Sequence, residues 1–381
     1  EKKAVVSSSM LINDNGIYPL ISAQDVQTRG SLIKEAIPYE DNEYVNDIAL
    51  ECAFNMELKE FLSGPDAPDV LATDGMWGQL INSDVMADLS SVYDGLADSE
   101  YYSNIFEASR LSGSNFIPVY YSLGGVIDYD ANDAANTDNF ALTYSDYQNF
   151  VNNNWAGVDP VCNACEPFQY AEELMSYQYD LYVNRENGQV TLTDNDYFNQ
   201  LMLYIAYAVE PSYGARSDAD YSDAEYGQIF EVSYFLSTVT SNDEVAIYSL
   251  PSADGRSIGA DPTLCLGITK NSSNSDGARA FVKSALSCEA QLLSEIYFCG
   301  LPVNRSALWA MASDYAIEDI QRLNHCIGSV NTIYIADAEL RYACYGPIMS
   351  LINGDYNNSD YAPEQAGHDI ETNMEYFLKE D

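Results

Sequence analysis

One short segment of the sequence combines the side chains that a small polar ligand would need. Asp74-Gly75-Met76-Trp77 directly follows the apolar run 69–73, which is typical of a buried strand. In open α/β sheets, ligands bind beyond the carboxyl ends of the strands, where this segment falls. A carboxylate there can accept hydrogen bonds from hydroxyl groups, and an indole offers a flat apolar face. A plain turn with Trp77 packed on a neighbouring helix explains the same residues equally well, so both interpretations stay open.

Aromatic side chains are the other candidates for ligand contact. The chain has 31 tyrosines, and tyrosine joins a flat apolar ring to one polar tip, which suits sugar rings and interfaces. Most of them are expected to be ordinary core or surface residues. Trp155 lies at a predicted helix end beside three asparagines. A ligand site and plain packing are equally supported there, and Tyr213 is a further candidate on aromatic grounds alone.

Motifs for catalysis and for cofactor or metal binding are missing from the sequence. It contains no phosphate-binding loop, no G-x-G-x-x-G after a strand and no G-x-S-x-G elbow. Cys162 and Cys165 form a C-x-x-C, but His325 and His368 lack the spacing of zinc ligands. A local disulfide or two free thiols is therefore favoured over a metal. We predict a protein that is not an enzyme and needs no metal and no cofactor.

The charge narrows the set of partners. The chain carries 59 acidic and 16 basic side chains and a net charge of −43. Such a field repels phosphate backbones and anionic membrane surfaces, so binding to nucleic acid or to a membrane is not expected. High solubility is the simpler interpretation of the charge, and a cationic ligand is the more specific one.

The elements that must position these residues alternate between strand and helix. Apolar spacing predicts a helix over 44–61 and a strand over 69–73, and alternation over 31–37 predicts an earlier strand. This β-α-β order favours a parallel sheet with helices on its faces. Thr143 and Asp146 predict the start of a helix. Further strands are predicted at 115–121, 124–129, 244–248 and 263–268. Helices are predicted near 166–183, 194–209 and 222–238 and through the C-terminal third.

A series of short phrases follows a fixed order along nearly the whole chain. The phrases are Leu62–Leu71, Val85–Tyr93, Phe116–Tyr121 followed by Val126–Tyr129, Thr143–Phe150, Leu250–Gln291 and Leu301–Asn304. Their order and spacing are more specific than any one of them. On these phrases the chain resembles the extracellular solute-binding proteins of bacterial ABC importers (family 1), in the branch that mostly binds sugars.

The resemblance implies an α/β protein with the two-lobe, type II periplasmic-binding-protein-like fold. Mixed sheets flanked by helices would enclose a ligand cleft between the lobes. Lobe one is expected to hold residues 1–127 and 262–305, and lobe two residues 128–261 and 306–381.

The resemblance also implies which loops line the cleft. They hold Asp74, Gly75, Met76, Trp77, Tyr120, Tyr121, Tyr234, Arg256 and Asp261. Trp77 and Tyr120 would stack on a sugar face, Asp74 would accept hydrogen bonds from hydroxyl groups, and Arg256 would donate them. A surface Arg256 that balances the nearby Asp254 and Asp261 is the competing interpretation.

The function implied by the resemblance is a receptor that hands a mono- or oligosaccharide to ABC permease subunits. Such a receptor is expected to be a monomer outside the cytoplasm, either periplasmic or a lipoprotein on the cell surface. A receptor for a peptide, a polyamine or another non-sugar solute is the alternative. A glycosidase on an acidic scaffold is the third and weakest hypothesis.

Overall fold

The computed structural model of the chain shows a mixed α/β protein, as the sequence predicted. It describes residues 21–39, 42–81, 83–128, 140–154, 167–184, 189–190, 192, 195–206, 229–230, 246–294, 300–352 and 362–380. Helices make up most of this part of the chain, and the strands concentrate in one central sheet.

The elements run in the following order. The helices are α1 (Ala23–Ala36), α2 (Glu43–Ser63), α3 (Ser90–Tyr93), α4 (Ser103–Ser112), α5 (Tyr144–Asn154), α6 (Pro167–Tyr177), α7 (Asp196–Tyr204), α8 (Ser275–Ala285), α9 (Cys288–Ser294), α10 (Arg305–Met311), α11 (Ile317–Ser329), α12 (Ala338–Ile352) and α13 (Pro363–Glu380). The strands are β1 (Val70–Thr73), β2 (Met76–Trp77), β3 (Phe116–Gly124), β4 (Val126–Asp128), β5 (Val183–Asn184), β6 (Gln189–Val190), β7 (Ile229–Phe230), β8 (Ala246–Tyr248), β9 (Gly259–Ile268), β10 (Leu301–Pro302), β11 (Thr332–Ile333) and β12 (Ile335–Ala336).

The central sheet has six strands, of which four follow the order β1-β9-β3-β10. β11 pairs with β9, and β7 pairs with β3. β1, β3 and β10 run antiparallel to their neighbours, and β11 runs parallel to β9. The predicted parallel sheet was therefore wrong. The partner of β1 is a strand almost 200 residues later, and no local pattern fixes the direction of so distant a strand.

The segment 31–37 is a helix, so its prediction as a strand was wrong too. Ser22 caps α1 by accepting a hydrogen bond from the amide of Asp25, which satisfies one of the free donors of the first turn. Gly30, Ile33 and Ile37 are buried. Their spacing of three and four residues follows one face of a helix, and this periodicity outweighs the short alternation in the segment.

The predicted helix over 44–61 is confirmed as α2. Asn42 caps it by accepting from the amide of Val45, and Gly64 follows its last residue. α2 packs against α1 and α12. The predicted strand at 69–73 is confirmed as β1, and every residue of the long central strand β3 is buried.

A separate two-stranded ladder continues from the central sheet. β4 follows β3 after one residue and pairs antiparallel with β8. α5 begins where Thr143 and Asp146 predicted it. The Asp146 amide donates to Thr143 Oγ1 at 3.1 Å, and the Thr143 amide donates to Asp146 Oδ2 at 3.4 Å. This reciprocal capping sets the start of α5 beside the loop before β9.

Two glycines face each other at the end of β3 and the start of β9. Gly124 and Gly259 are register partners, and the ring of Tyr177 lies across both. A Cβ atom on Gly124 would lie 2.0 Å from the Tyr177 hydroxyl oxygen, and one on Gly259 would lie 2.2 Å from its Cε1 atom. Only glycine leaves room for the ring at these two positions.

Buried cysteine side chains lie in the core. Among the described residues, Cys52, Cys265 and Cys344 form no disulfide. Burial raises the pKa of each thiol well above its usual value. Cys162 and Cys165 lie outside the described residues. In the described part of the chain, no helix combines the length and the apolar character that a membrane span requires.

The contact between Tyr177 and the glycine pair can be tested by one methyl group. Gly124→Ala should lower the free energy of unfolding by about 2 kcal/mol, because the ring has to move out of a packed position. Gly328→Ala is the matched control. A Cβ at Gly328 meets nothing within 4 Å, so this change should leave stability equal or about 0.5 kcal/mol higher. Urea unfolding of both variants measures the difference, and equal stabilities would contradict the packing described.

Candidate functional site

The segment Asp74 to Trp77 forms a turn beside the central sheet. Trp77 is buried, at 5% exposure, and its indole Nε1 donates to Asp74 Oδ1 at 3.3 Å. Thr73 Oγ1 donates to the carbonyl of Gly75 at 2.7 Å, and Met76 is fully buried. The turn is therefore braced from inside. The indole packs and orients the carboxylate, and Asp74 is the exposed member of the segment.

A second strand pair places this turn next to the chain that leads into α12. β2 pairs parallel with β12, so that Trp77 is the register partner of Ala336. Tyr334 lies between β11 and β12, and its amide donates to the carbonyl of Ala260 at 2.7 Å. Asp74, Tyr334 and the first residues of β9 therefore share one side of the central sheet.

Tyr120 and Tyr121 do not line an open site in this structure. Both are fully buried within β3. Tyr120 donates its hydroxyl hydrogen to the carbonyl of Gln291. The Tyr121 hydroxyl is buried without a partner. Both rings pack inside the core around a fully buried strand. Tyr120 is therefore not placed to stack on a sugar, contrary to the expectation.

Arg256 is a structural residue, which corrects its expected role as a donor to the ligand. Its Nη1 and Nη2 atoms bind both oxygens of Asp180, with Nη2 at 2.9 Å from Oδ2, and its Nε donates to Asp254 at 3.1 Å. Nη1 also donates to Thr332 Oγ1 at 3.1 Å and to the carbonyl of Tyr177 at 3.4 Å. The side chain is 10% exposed. The competing interpretation, a surface Arg256, correctly identified Asp254 as a partner. It did not anticipate that Arg256 is buried.

Three of the predicted site residues lie outside the described residues: Trp155, Tyr213 and Tyr234. Asp261 lies within the described residues, and among the predicted site residues it has a strongly raised pKa. It lies in β9 opposite Ser122. It keeps partial contact with solvent.

The structure assembles a group of carboxylates that the sequence analysis recognised only in part. Asp74 from the turn after β1 and Asp261 from β9 are joined by Glu173 from α6. Glu173 and Tyr177 are four residues apart on α6, so they lie on the same face of that helix. Asp261 interacts electrostatically with Asp74, and Glu173 with Asp261. We call Asp74, Glu173 and Asp261 the carboxylate cluster.

Asp261 and Glu173 are the poorly solvated members of the cluster, and their ionised forms repel each other. Burial, together with the charge of Asp74, raises the pKa of Asp261 to about 7. Burial, followed by the charges of Asp261 and Glu172, raises the pKa of Glu173 to about 8. Within the part of the chain that the structure describes, no Lys or Arg forms an ion pair with Asp261 or Glu173. Two carboxyl groups therefore titrate near neutral pH at the same place.

An ion network lies next to the cluster. Arg341 of α12 binds Glu172 of α6 at 3.1 Å and also pairs with Glu51 of α2. The Tyr44 hydroxyl donates to Glu172 at 2.9 Å. This network ties α2, α6 and α12 together. Because two carboxylates share the one guanidinium group, Arg341 leaves no charge to neutralise Asp261 or Glu173.

Tyr177 also lines a narrow crevice, and Gly124, Gly259, Arg256 and Thr332 contribute to its walls. Among the described residues, no three His, Cys, Asp or Glu side chains are placed to hold a metal ion.

Solved structures share the fold of this chain. The sugar-binding protein MalE from Xanthomonas citri matches with a TM-score of 0.56 at 11% identity, over 86% of this chain and 88% of that one. An extracellular solute-binding protein of family 1 from Alicyclobacillus acidocaldarius matches with a TM-score of 0.50 at 13% identity, over 93% of this chain and 96% of that one. A cyclic alpha-maltosyl-1,6-maltose binding protein from Arthrobacter globiformis matches with a TM-score of 0.51 at 13% identity, over 86% of this chain and 89% of that one.

These similarities confirm the predicted fold class. The chain has the two-lobe, periplasmic-binding-protein-like fold of extracellular solute-binding proteins, and the resemblance read from its phrases is correct at the level of fold. No family model matches the chain, and a search of curated protein sequences finds no match.

The buried position of Arg256 predicts a large stability effect. Arg256→Gln should lower the free energy of unfolding by about 3 kcal/mol, because it leaves Asp180 and Asp254 without their counter-charge. Arg110→Gln is the control. Arg110 pairs with Asp94 at 3.2 Å, and its side chain is 42% exposed, so its loss should cost less than about 1 kcal/mol. Urea midpoints of the two variants give the comparison, and similar losses would refute the structural role of Arg256.

The raised pKa values of Asp261 and Glu173 predict how stability changes with pH. A carboxyl group in the unfolded chain titrates near pH 4, so between about pH 4 and pH 8 the folded state binds more protons than the unfolded state. Stability therefore falls as pH rises through this window. The Asp261→Asn, Glu173→Gln double variant mimics the protonated groups. It should gain about 2 kcal/mol over the wild type at about pH 8.5 and almost nothing at about pH 5.

Chemical denaturation at the two pH values measures this difference. The comparison with the wild type removes the general effect of the net charge, because that effect is nearly the same in both proteins. A constant difference between the variant and the wild type across the pH range would contradict desolvation of the two carboxyl groups.

Proposed function

We propose that this protein is a sugar-binding receptor of an ABC importer. The observation that carries the proposal is the shared fold with the sugar-binding protein MalE from Xanthomonas citri, over 86% of this chain. The Arthrobacter globiformis protein of the same fold also binds an oligosaccharide. Proteins of this kind bind their ligand and release it unchanged, so we propose no catalytic step.

The carboxylate cluster is the best-supported ligand site in the described part of the chain. Carboxylates accept hydrogen bonds from hydroxyl groups, and such charged acceptors form strong hydrogen bonds. The exposed carboxylate of Asp74 is held in place by the Trp77 indole, so little side-chain freedom is lost when a ligand binds. We therefore keep Asp74 and Asp261 as ligand contacts and add Glu173. In this proposal Asp74 makes the ligand contact, and its position is fixed by the neighbouring Gly75, Met76 and Trp77.

The position of the cluster suits a closing cleft. It lies beside the place where β3 continues into β4 and where β9 begins, and the predicted lobe boundaries 127/128 and 261/262 fall in the same region. We propose that the two lobes move about this crossing, since small ligands commonly bind between domains. Lobe closure would then bring α6 of lobe two toward Asp74 of lobe one.

The partners follow from the same proposal. A receptor of this kind acts outside the cytoplasm, as a periplasmic protein or a surface lipoprotein, and delivers its ligand to permease subunits. We propose that it does so as a monomer. Ligand binding should then be a one-site equilibrium that does not depend on protein concentration.

A panel of neutral mono- and oligosaccharides tests the proposed function. Thermal unfolding should shift upward with one of them, because a ligand present at 100 times its dissociation constant adds about 2.7 kcal/mol of stability. Asp74→Asn should weaken that binding about tenfold by removing a charged acceptor. Asp84→Asn, at a fully exposed position, should bind as the wild type does. If no saccharide in the panel, neutral or aminated, shifts the unfolding curve, the proposed function is wrong.

A further inference from the structure

The carboxylate cluster leaves an electrostatic problem that the chain itself does not solve. Asp261 and Glu173 are desolvated, and their ionised forms repel each other, so the empty site holds them partly protonated. Burying like charges without a partner is unfavourable, and such groups are normally paired or protonated. In the described part of the chain, the neighbouring cation, Arg341, is already bound to Glu51 and Glu172.

A second observation at the same place points to a ligand. Tyr177 is 5% exposed, and its buried hydroxyl has no hydrogen-bond partner among the residues that the structure describes. Burial, followed by the charges of Asp261 and Glu173, raises the pKa of Tyr177 well above its usual value. The hydroxyl therefore stays protonated and keeps a free hydrogen to donate, within electrostatic range of both carboxyl groups.

Strand register places these groups on one face of the sheet. Gly124 pairs with Gly259, and Ser122 pairs with Asp261. These two pairs are two residues apart along both strands, so their side chains point to the same side. The Tyr177 ring covers the glycine pair, which puts it on the side from which Asp261 projects. Glu173, one helical turn before Tyr177, faces the same space.

The remaining groups around this space are also acidic or phenolic. Tyr334 packs edge-on against Tyr177, with ring centroids 5.3 Å apart. Glu172 on α6 points to Arg341 of α12. Asp74 approaches from the turn after β1, where the Cβ position of Gly75 is 3.8 Å from the carbonyl oxygen of Pro262. The described surroundings of Asp261 and Glu173 therefore supply acceptors and hydroxyl groups but no cation.

We infer that this site selects a sugar that carries an ammonium group, which would sit between Asp261, Glu173 and Asp74 while the Tyr177 hydroxyl binds a neighbouring sugar hydroxyl. This inference rests on the proposed function and narrows it. An ammonium group donates three hydrogen bonds and neutralises the repulsion. A neutral sugar hydroxyl can use the same acceptors but supplies no counter-charge that would let both carboxyl groups ionise.

Binding of an ammonium group has a consequence for protons. At about pH 6.5 both Asp261 and Glu173 are mostly protonated without ligand, since their pKa values are raised to about 7 and about 8. A cation beside them favours the charged carboxylates, so protons must leave when it binds. A site that only packs against a neutral sugar releases no such protons.

The test compares matched sugars by calorimetry at about pH 6.5, where the free amine of the ligand is protonated. The probes are glucosamine, galactosamine, mannosamine and the β-1,4-linked glucosamine disaccharide. Each is paired with its neutral hydroxyl counterpart and with its N-acetylated form. We expect one aminated probe to bind at least tenfold more tightly than both counterparts. Titrations in two buffers of different ionisation enthalpy should show proton release.

Variants test whether the preference depends on the charges of Asp261 and Glu173. Asp261→Asn with Glu173→Gln should abolish both the tenfold preference and the proton release, because the neutral amides keep the shape of the protonated acids. Asp84→Asn should keep both. Tyr177→Phe should weaken binding of the aminated and the neutral sugar by similar factors, because it removes a contact to a sugar hydroxyl.

The outcomes distinguish this inference from the proposed function. If neutral sugars bind as tightly as their aminated forms, or if the double variant keeps the preference, the inference is wrong and the sugar receptor stands. If spermidine binds and no saccharide does, both the inference and the proposed function are wrong. If no aminated probe binds at millimolar concentration, the inference is again wrong, and the neutral panel alone decides the proposed function.

Discussion

The contact between the end of α6 and the crossing of β3 and β9 is the constraint on which the site depends. The last carbonyl of α6, that of Tyr177, accepts hydrogen bonds from Arg256 and Thr332. Helix ends leave such carbonyls without partners inside the helix. Here they are satisfied by the loop before β9 and by β11, so one helix end holds three distant parts of the chain together.

This docking also sets the position of the ligand site. With Tyr177 fixed on the glycine pair, Glu173 is placed one turn back, over the start of β9. The bidentate pair between Arg256 and Asp180 strengthens the same junction. Stability and recognition are therefore coupled here: the groups that hold α6 in place also bring its carboxylate to Asp261.

Local features of the fold could be predicted from the sequence because their causes are local. The caps of α2 and α5 and the apolar runs of β1 and β3 determine those elements by short-range contacts. Strand direction depends on which distant segment becomes the partner, and β1 pairs with residues of β9 that no nearby pattern indicates. The second half of α1, residues 31–36, was mistaken for a strand because a short alternation was weighed without the longer helical spacing.

The site was partly predictable for the same reason. Asp74 was found because it follows a predicted strand, and Asp261 was found through the family resemblance, whereas Glu173 lies inside a helix that neither argument singled out. One signal was present: Glu173 is three residues after the buried Tyr170 and four before Tyr177, so it lies on the face that a solvated acid normally avoids. For Arg256 the sequence showed the nearby Asp254, but its main partner, Asp180, is 76 residues away.

The buried cysteines link the chemistry of this chain to its folding. The reactive form of a thiol is the thiolate, and burial of Cys52, Cys265 and Cys344 suppresses that form. Their protection lasts only as long as the surrounding core is intact. In an oxidising medium, a molecule that opens exposes several sulfur atoms at once, and their oxidation or mispairing would block its return to the native state. The lifetime of the protein there is then set by how rarely it opens rather than by its equilibrium stability.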